Sequence, residues 1–222
     1  MCFSASASFT SGVVISTVGA VVATKTKTPN ERLFSLIPLF FGFQQFAEGF
    51  VWLSLQNAEY ASFRMPATYY FLFMADVVWP IMVPISLLRM ESSESRKRYL
   101  KLFSAAGLVL GTYYLTNIIT RHITPVTNGF HIDYSNDFPD KLVMPAFLLY
   151  LVVTIAPIFI SGVKRMFVFG IVIFIAVAVS GFFYTQYLSS VWCFFAAAAS
   201  VIIYWILTPT WKGAEEHVSL AG

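Results

Sequence analysis

The chain is divided into apolar runs of about 20 residues, the length that crosses a bilayer as an α-helix. Seven such runs are readable: 7–24, 33–55, 66–88, 100–120, 142–161, 166–184 and 188–207. In hydrocarbon every backbone N–H and C=O must find a partner inside the protein, so only helices and closed barrels span it. Runs of this length and apolarity predict spanning helices. The expected fold is all-α: a polytopic seven-transmembrane-helix bundle, one domain over residues 1–222 with 208–222 as a cytoplasmic tail. Connections are mostly short, which makes consecutive helices antiparallel neighbours.

Composition agrees and removes other classes. The chain is 58% hydrophobic and 11% charged, whereas soluble domains carry roughly 25% charged residues. A net charge of +3 gives no reason to expect nucleic acid as a partner. The two cysteines, Cys2 and Cys193, are too few for a disulfide scaffold and form no C-x-x-C motif. Residues 1–24 hold no charged side chain, so no basic region precedes the first run, and that run is expected to be retained as a helix.

Lys and Arg are distributed unevenly between the two sets of loops. One set, with the tail, holds eleven: Lys25, Lys27, Arg32, Arg89, Arg96, Lys97, Arg98, Lys101, Lys164, Arg165 and Lys212. The other holds three: Arg64, Arg121 and Lys141. Cytoplasmic loops carry the excess. The N-terminus is therefore expected outside and the C-terminus in the cytoplasm. The stretch 89–101 reads as a basic loop that enforces topology, meets anionic lipid or docks a cytoplasmic partner.

Two carboxylates interrupt the apolar runs, Glu48 in the second and Asp76 in the third. An acid at such a position costs about 3 kcal/mol on insertion scales and usually faces the bundle interior or a water-filled cavity. At about 1.5 Å per residue, Glu48 lies about 10 Å and Asp76 about 15 Å from the outer ends of their helices. Asn117, Trp192, Cys193, Cys2, His122 and His131 fall in the same outer half. The expectation is one outward-facing polar pocket.

Gln44, Glu48 and Trp52 recur at spacing four, with Gln45 beside them, and residues at i and i+4 share a helical face. This stripe is either a ligand, ion or proton site or polar glue between helices. Asp76, Pro80 and Pro84 share a second face, and Trp79 precedes the first proline. Proline removes a backbone donor and frees the carbonyl four residues upstream, here that of Asp76. The predicted kink thus puts a free oxygen beside an acid, or serves only to shape the bundle. Facing carboxylates would share a proton, hold a hard cation or perform acid/base work. Trp52, Trp79 and Trp192 would wall such a pocket, with Asn117 at its edge.

The longest outer loop, 121–141, contains His131 and would form a lid if folded over the helix mouth. His131 would then join Glu48 and Asp76 as ligands to a metal ion, the one cofactor these residues suggest. A solvated loop histidine is the plainer reading. Asp133, Ser135, Asp137 and Asp140 fail as a calcium loop, because Phe138 stands where glycine is needed and Met144 where glutamate is needed. Cys2 and Cys193 are expected on the oxidising side, as a disulfide, as separate buried thiols, or with Cys2 as ligand or nucleophile. The seventh run has no lysine for a retinal Schiff base.

The opening Met-Cys-Phe-Ser-Ala, the segment Phe43-Gln-Gln45 with Glu48-Gly-Phe-Val-Trp52, and Ser190-Val-Trp-Cys193 followed by alanines carry a resemblance. Together they resemble a family of bacterial integral-membrane proteins of unknown function. The resemblance implies residence in a bacterial inner membrane and lends no activity. The leading expectation is a protein that binds or transports a cation, proton or small polar ligand through Glu48 and Asp76. The alternatives are an intramembrane enzyme using Glu48, Asp76 or Cys2 on a lipid or small molecule, and a receptor-like or structural subunit. The bilayer is the expected partner, and oligomeric state is left open.

Overall fold

The computed structural model describes residues 4–129, 131–183, 197 and 199–207. Five helical segments are long and apolar enough to cross a membrane: Ala5–Lys25, Arg32–Gln56, Ala58–Met90, Glu94–Thr120 and Asp140–Ile160. They comprise α1 (Ala5–Lys25), α2 (Arg32–Ser35), α3 (Ile37–Gln56), α4 (Arg64–Leu72), α5 (Trp79–Met90), α6 (Glu94–Thr120) and α7 (Asp140–Ile160). A further apolar helix, α8 (Met166–Phe183), answers to the sixth expected run. The seventh lies largely outside the described residues, of which 202–207 are helical.

The segments match the apolar runs, with two corrections. The stretch 94–101 is not loop: α6 begins at Glu94, so Arg96, Lys97, Arg98 and Lys101 ride on its first two turns. The chain is not purely α-helical either. Residues read as a loop form an antiparallel hairpin, β1 (Ile123–Asn128) and β2 (His131–Asn136), with Pro125 opposite Tyr134. Two residues join the strands, and Gly129 takes φ +61°, the positive value that two-residue hairpin turns need. Ile123, Pro125, Ile132 and Tyr134 alternate inward. Tyr134 stacks on Phe71 of α4 at 4.9 Å, which fixes the hairpin against the bundle.

Small residues set the closest helix contacts, as is usual where lipid competes for apolar surface. On α1, Gly12 and Gly19 meet α3, whose Gly42 leaves room for the Ser16 side chain; a Cβ at Gly19 would collide with the Leu39 backbone. On α6, Gly107 lies against the Pro80 carbonyl and Gly111 against Ile81. Large apolar side chains are left on the outer faces, such as Val109 (71% exposed) and Ile119 (73%). That is the surface a hydrocarbon solvent requires.

The segment Ala58–Met90 is one continuous helical rod with a fault in it. A 3-10 stretch (Ala58–Phe63) leads into α4, and six residues, Phe73–Val78, form a π-helical turn before α5. The Trp79 N–H donates to the Met74 carbonyl five residues back. Pro80, which has no N–H and crowds the carbonyl of residue 76, gives the reason for widening the helix here.

Candidate functional site

The α3 stripe is interior along its whole length. Gln44, Gln45 and Glu48 are fully buried and Trp52 is 2% exposed. Spacing does this for Gln44, Glu48 and Trp52, which share one face at intervals of four, and Gln45 beside them is covered because the helix packs on two sides. Gln44 Oε1 accepts a hydrogen bond from Trp79 Nε1 at 2.8 Å. The Trp79 ring stacks on Phe41, centroids 3.9 Å apart. Gln45 Oε1 accepts from Ser11 Oγ on α1 at 3.2 Å, and Gln45 Nε2 donates to Glu48 Oε2 at 3.5 Å. The glutamines therefore serve opposite sides of α3: Gln44 reaches α5 and Gln45 reaches α1. Glu48 stands one turn above both.

Two buried donors of this stripe lack a partner among the described residues, Gln44 Nε2 and Trp52 Nε1, and so does Thr68 Oγ1 of α4. Native structures leave few buried polar groups unpaired, and each such group costs about 1–3 kcal/mol.

Asp76 belongs to the π-helical turn and is half-buried. Its carboxylate lies close enough to Tyr114 of α6 to act on it electrostatically. The Tyr114 ring meets Tyr150 of α7 edge-on at 6.4 Å. The freed carbonyl is found one residue from the expected place. Because Trp79 N–H turns to Met74, the Ala75 carbonyl loses its usual donor, and Tyr150 Oη takes it at 2.8 Å. Asn117 is buried, yet its Nδ2 donates to the Tyr113 carbonyl on its own helix at 2.8 Å. That bond stays within its own helix.

The polar residues thus follow two seams. Glu48 sits with Gln45 and Ser11 toward α1, and with Gln44 and Trp79 toward α5. Asp76 sits with Tyr114 toward α6. His131 opens β2 and is partly buried, and burial lowers its pKa below the usual histidine value. Among the described residues no three His, Cys, Asp or Glu side chains gather as a metal site, so Glu48, Asp76 and His131 are not brought together. Asp133 and Ser135 lie on a strand, exposed. His122 precedes β1, exposed, and its carbonyl accepts from Asp137 N at 3.3 Å. Cys2, Trp192 and Cys193 lie outside the described residues. Sequence reasoning did not single out Ser11, Thr68 and Tyr150. The first two are ordinary hydroxyl residues in apolar runs, and Tyr150 becomes special only through the π-helical turn.

Membrane-length helices, lipid-exposed apolar faces and acids set in interior seams define a helical integral-membrane protein. The sequence matches a family of unknown function, DUF6629, over residues 1–216, and the chain belongs to that family. No curated protein and no solved structure matches it.

Proposed function

We propose that this protein binds a small cationic or polar ligand, a proton or a cation, in the seam around Glu48, with Asp76 serving the adjoining seam. The reading includes seven spans in a bacterial inner membrane, N-terminus outside and C-terminus cytoplasmic. The charge distribution supports that orientation. Lys25, Arg32, Arg89, Arg96, Lys97, Arg98, Lys101, Lys164 and Arg165 lie at one end of the bundle, and Arg64, Arg121 and Lys141 at the other, where the hairpin sits.

The observation that carries the reading is a fully buried acid in a stripe whose Gln44 and Trp52 hold unpaired donors. Interhelical glue satisfies its donors and acceptors within the bundle. A carboxylate beside unpaired donors suits a ligand with both a positive group and an acceptor oxygen. Trp52 and Trp79 add ring faces that attract cations.

The test is a thermal-shift panel on purified protein across sodium, potassium, primary amines and zwitterionic amines at several pH values, repeated with Glu48→Gln. Stabilisation by one class that disappears in Glu48→Gln supports the reading. A parent protein indifferent to the whole panel, or an unchanged response in Glu48→Gln, would sink it. Flux of the responding ligand into proteoliposomes then separates transport from binding alone.

A further inference from the structure

The start of α6 carries four cations, Arg96, Lys97, Arg98 and Lys101, and the helix sorts them into two kinds. Arg96 is turned inward: its Nη1 lies 3.8 Å from Glu91 Oε1, and its guanidinium covers Gly162 just past α7. Lys97 Nζ donates to Glu94 Oε1 at 2.7 Å. Arg98 and Lys101 are exposed and make no hydrogen bond or ion pair with any described residue. Lys101 attracts Glu94 only from a distance. With Glu94 and Ser95, these two cations line an open cleft of about 420 Å³, a volume in the range of small-ligand clefts, roughly 300–1,000 Å³. The one acid on its wall, Glu94, is already matched by Lys97, so Arg98 and Lys101 remain in excess.

Helix length sets the depth of this cleft. α6 has 27 residues, about seven more than the roughly 20 that cross hydrocarbon. From Leu102 to Thr120 it holds no charged residue, so the surplus falls at its charged start. Arg98 and Lys101 thus stand at the edge of the hydrocarbon, the level of lipid phosphates. Their face continues into it. Leu102, Ala105 and Val109 follow Arg98 at steps of four, three and four, and all are exposed. Cations at the boundary and bare apolar surface below them match the two parts of a phospholipid.

We infer that Arg98 and Lys101 hold the phosphate of one anionic phospholipid, whose acyl chain lies along Leu102, Ala105 and Val109. Ser95 offers a hydroxyl to the same headgroup. A zwitterionic headgroup would bring its own cation against Arg98 and Lys101, so the cleft favours lipids of net negative charge. The inference needs α6 to span a bilayer and does not depend on a ligand at Glu48.

The full chain is purified in neutral detergent and offered equal amounts of phosphatidylglycerol and phosphatidylcholine with identical tails, and native mass spectrometry counts the lipid retained. One phosphatidylglycerol should be kept with at least about fivefold preference, the effect of a single cation beside an anionic lipid surface. Arg98→Gln with Lys101→Gln should abolish the preference. Arg96→Gln with Lys97→Gln removes the same charge and should keep it. A parent without preference, or equal loss in both double variants, means diffuse attraction to the basic end and overturns the site.

Thermal shift separates a lipid from a soluble anion. Phosphatidylglycerol should stabilise the parent where an excess of inorganic phosphate does not. Stabilisation by phosphate that matches it assigns the cleft to a soluble anion and refutes the lipid.

Discussion

Gly107→Ala is the sharpest test of how the seams are held in place. Gly107 lies where α6 crosses the faulted rod. A Cβ there would stand 2.9 Å from the Pro80 carbonyl carbon, closer still to its oxygen, and 3.3 Å from Val153 Cγ1. That oxygen has no intrahelical donor, because Pro84 four residues on has no N–H. Only backbone approach by glycine fits over it. Ordinary C···O contact is about 3.3–3.6 Å, so the Cβ and that oxygen would have to move apart by about 1.5 Å. Overpacking of this kind costs about 1–3 kcal/mol, while alanine recovers about 1 kcal/mol of helix propensity over glycine. With the lost carbonyl contact included, the expected net loss is about 1–2 kcal/mol. The assay is reversible unfolding in mixed micelles titrated with a denaturing detergent and followed by helical signal. Ala105→Leu on the exposed face of α6 is the control, expected within about 0.5 kcal/mol of the parent. A Gly107→Ala protein as stable as the parent, or more so, would refute the close contact and with it the placing of Asp76 beside α6.

Further predictions follow from single contacts. Gln44→Leu leaves Trp79 Nε1 buried without an acceptor and should cost about 1–3 kcal/mol in the same assay. Combining it with Trp79→Phe should cost less than the sum of the two; strict additivity would show that the bond contributes nothing. Tyr150→Phe abandons the Ala75 carbonyl and should lose about 1–2 kcal/mol, whereas an unchanged midpoint would mean that another donor takes that oxygen. Glu91, between α5 and α6, accepts from the backbone N–H of Ser92, Ser93 and Gly162, the last at 2.7 Å, with Arg96 at 3.8 Å. Burial pushes its carboxyl upward, but these donors and Arg96 outweigh burial and hold its pKa below the usual glutamate value. A depressed folded pKa gives stability that is fully present above the unfolded value and lost as pH falls through the folded one. Melting curves of Glu91→Gln should lie below the parent at pH 7 and converge with it in acid; parallel curves at all pH values would refute a stabilising role for the charged carboxylate.

Length and hydropathy made the spans legible, because backbone satisfaction in lipid leaves so few solutions. Fine structure was less accessible. The hairpin had a local signal in Asn128-Gly129 flanked by alternating residues, but its proline and polar residues resemble loop. The kink at Pro80 was readable, whereas the identity of the freed carbonyl was not. A regular α-helix would release the Asp76 oxygen; the π-helical turn shifts the Trp79 donor back to Met74 and releases Ala75 instead. The interior face of Gln44, Glu48 and Trp52 follows from spacing. Which helix each residue meets does not, because Ser11 reaches Gln45 only where glycines bring α1 and α3 together. Asn117 shows the same limit: an amide one turn from a helix end reads equally as a pocket edge or as a bond to its own backbone.

The seam around Glu48 also separates glue from function on energetic grounds. If the stripe merely joined helices, a glutamine at 48 would serve as well, since interhelical amide bonds are worth about 0.6–2 kcal/mol and need no charge. A carboxylate carries the same hydrogen-bonding oxygen and adds an insertion penalty of about 3 kcal/mol when charged. What glutamate offers beyond glutamine is a proton it can release and a negative charge it can present. Glu48→Gln should therefore equal or exceed the parent in unfolding assays while losing its response to the stabilising ligand, the trade expected where a site is built at the expense of the fold. A variant that is markedly less stable and keeps its ligand response would assign Glu48 to the scaffold, and the polar seam with it.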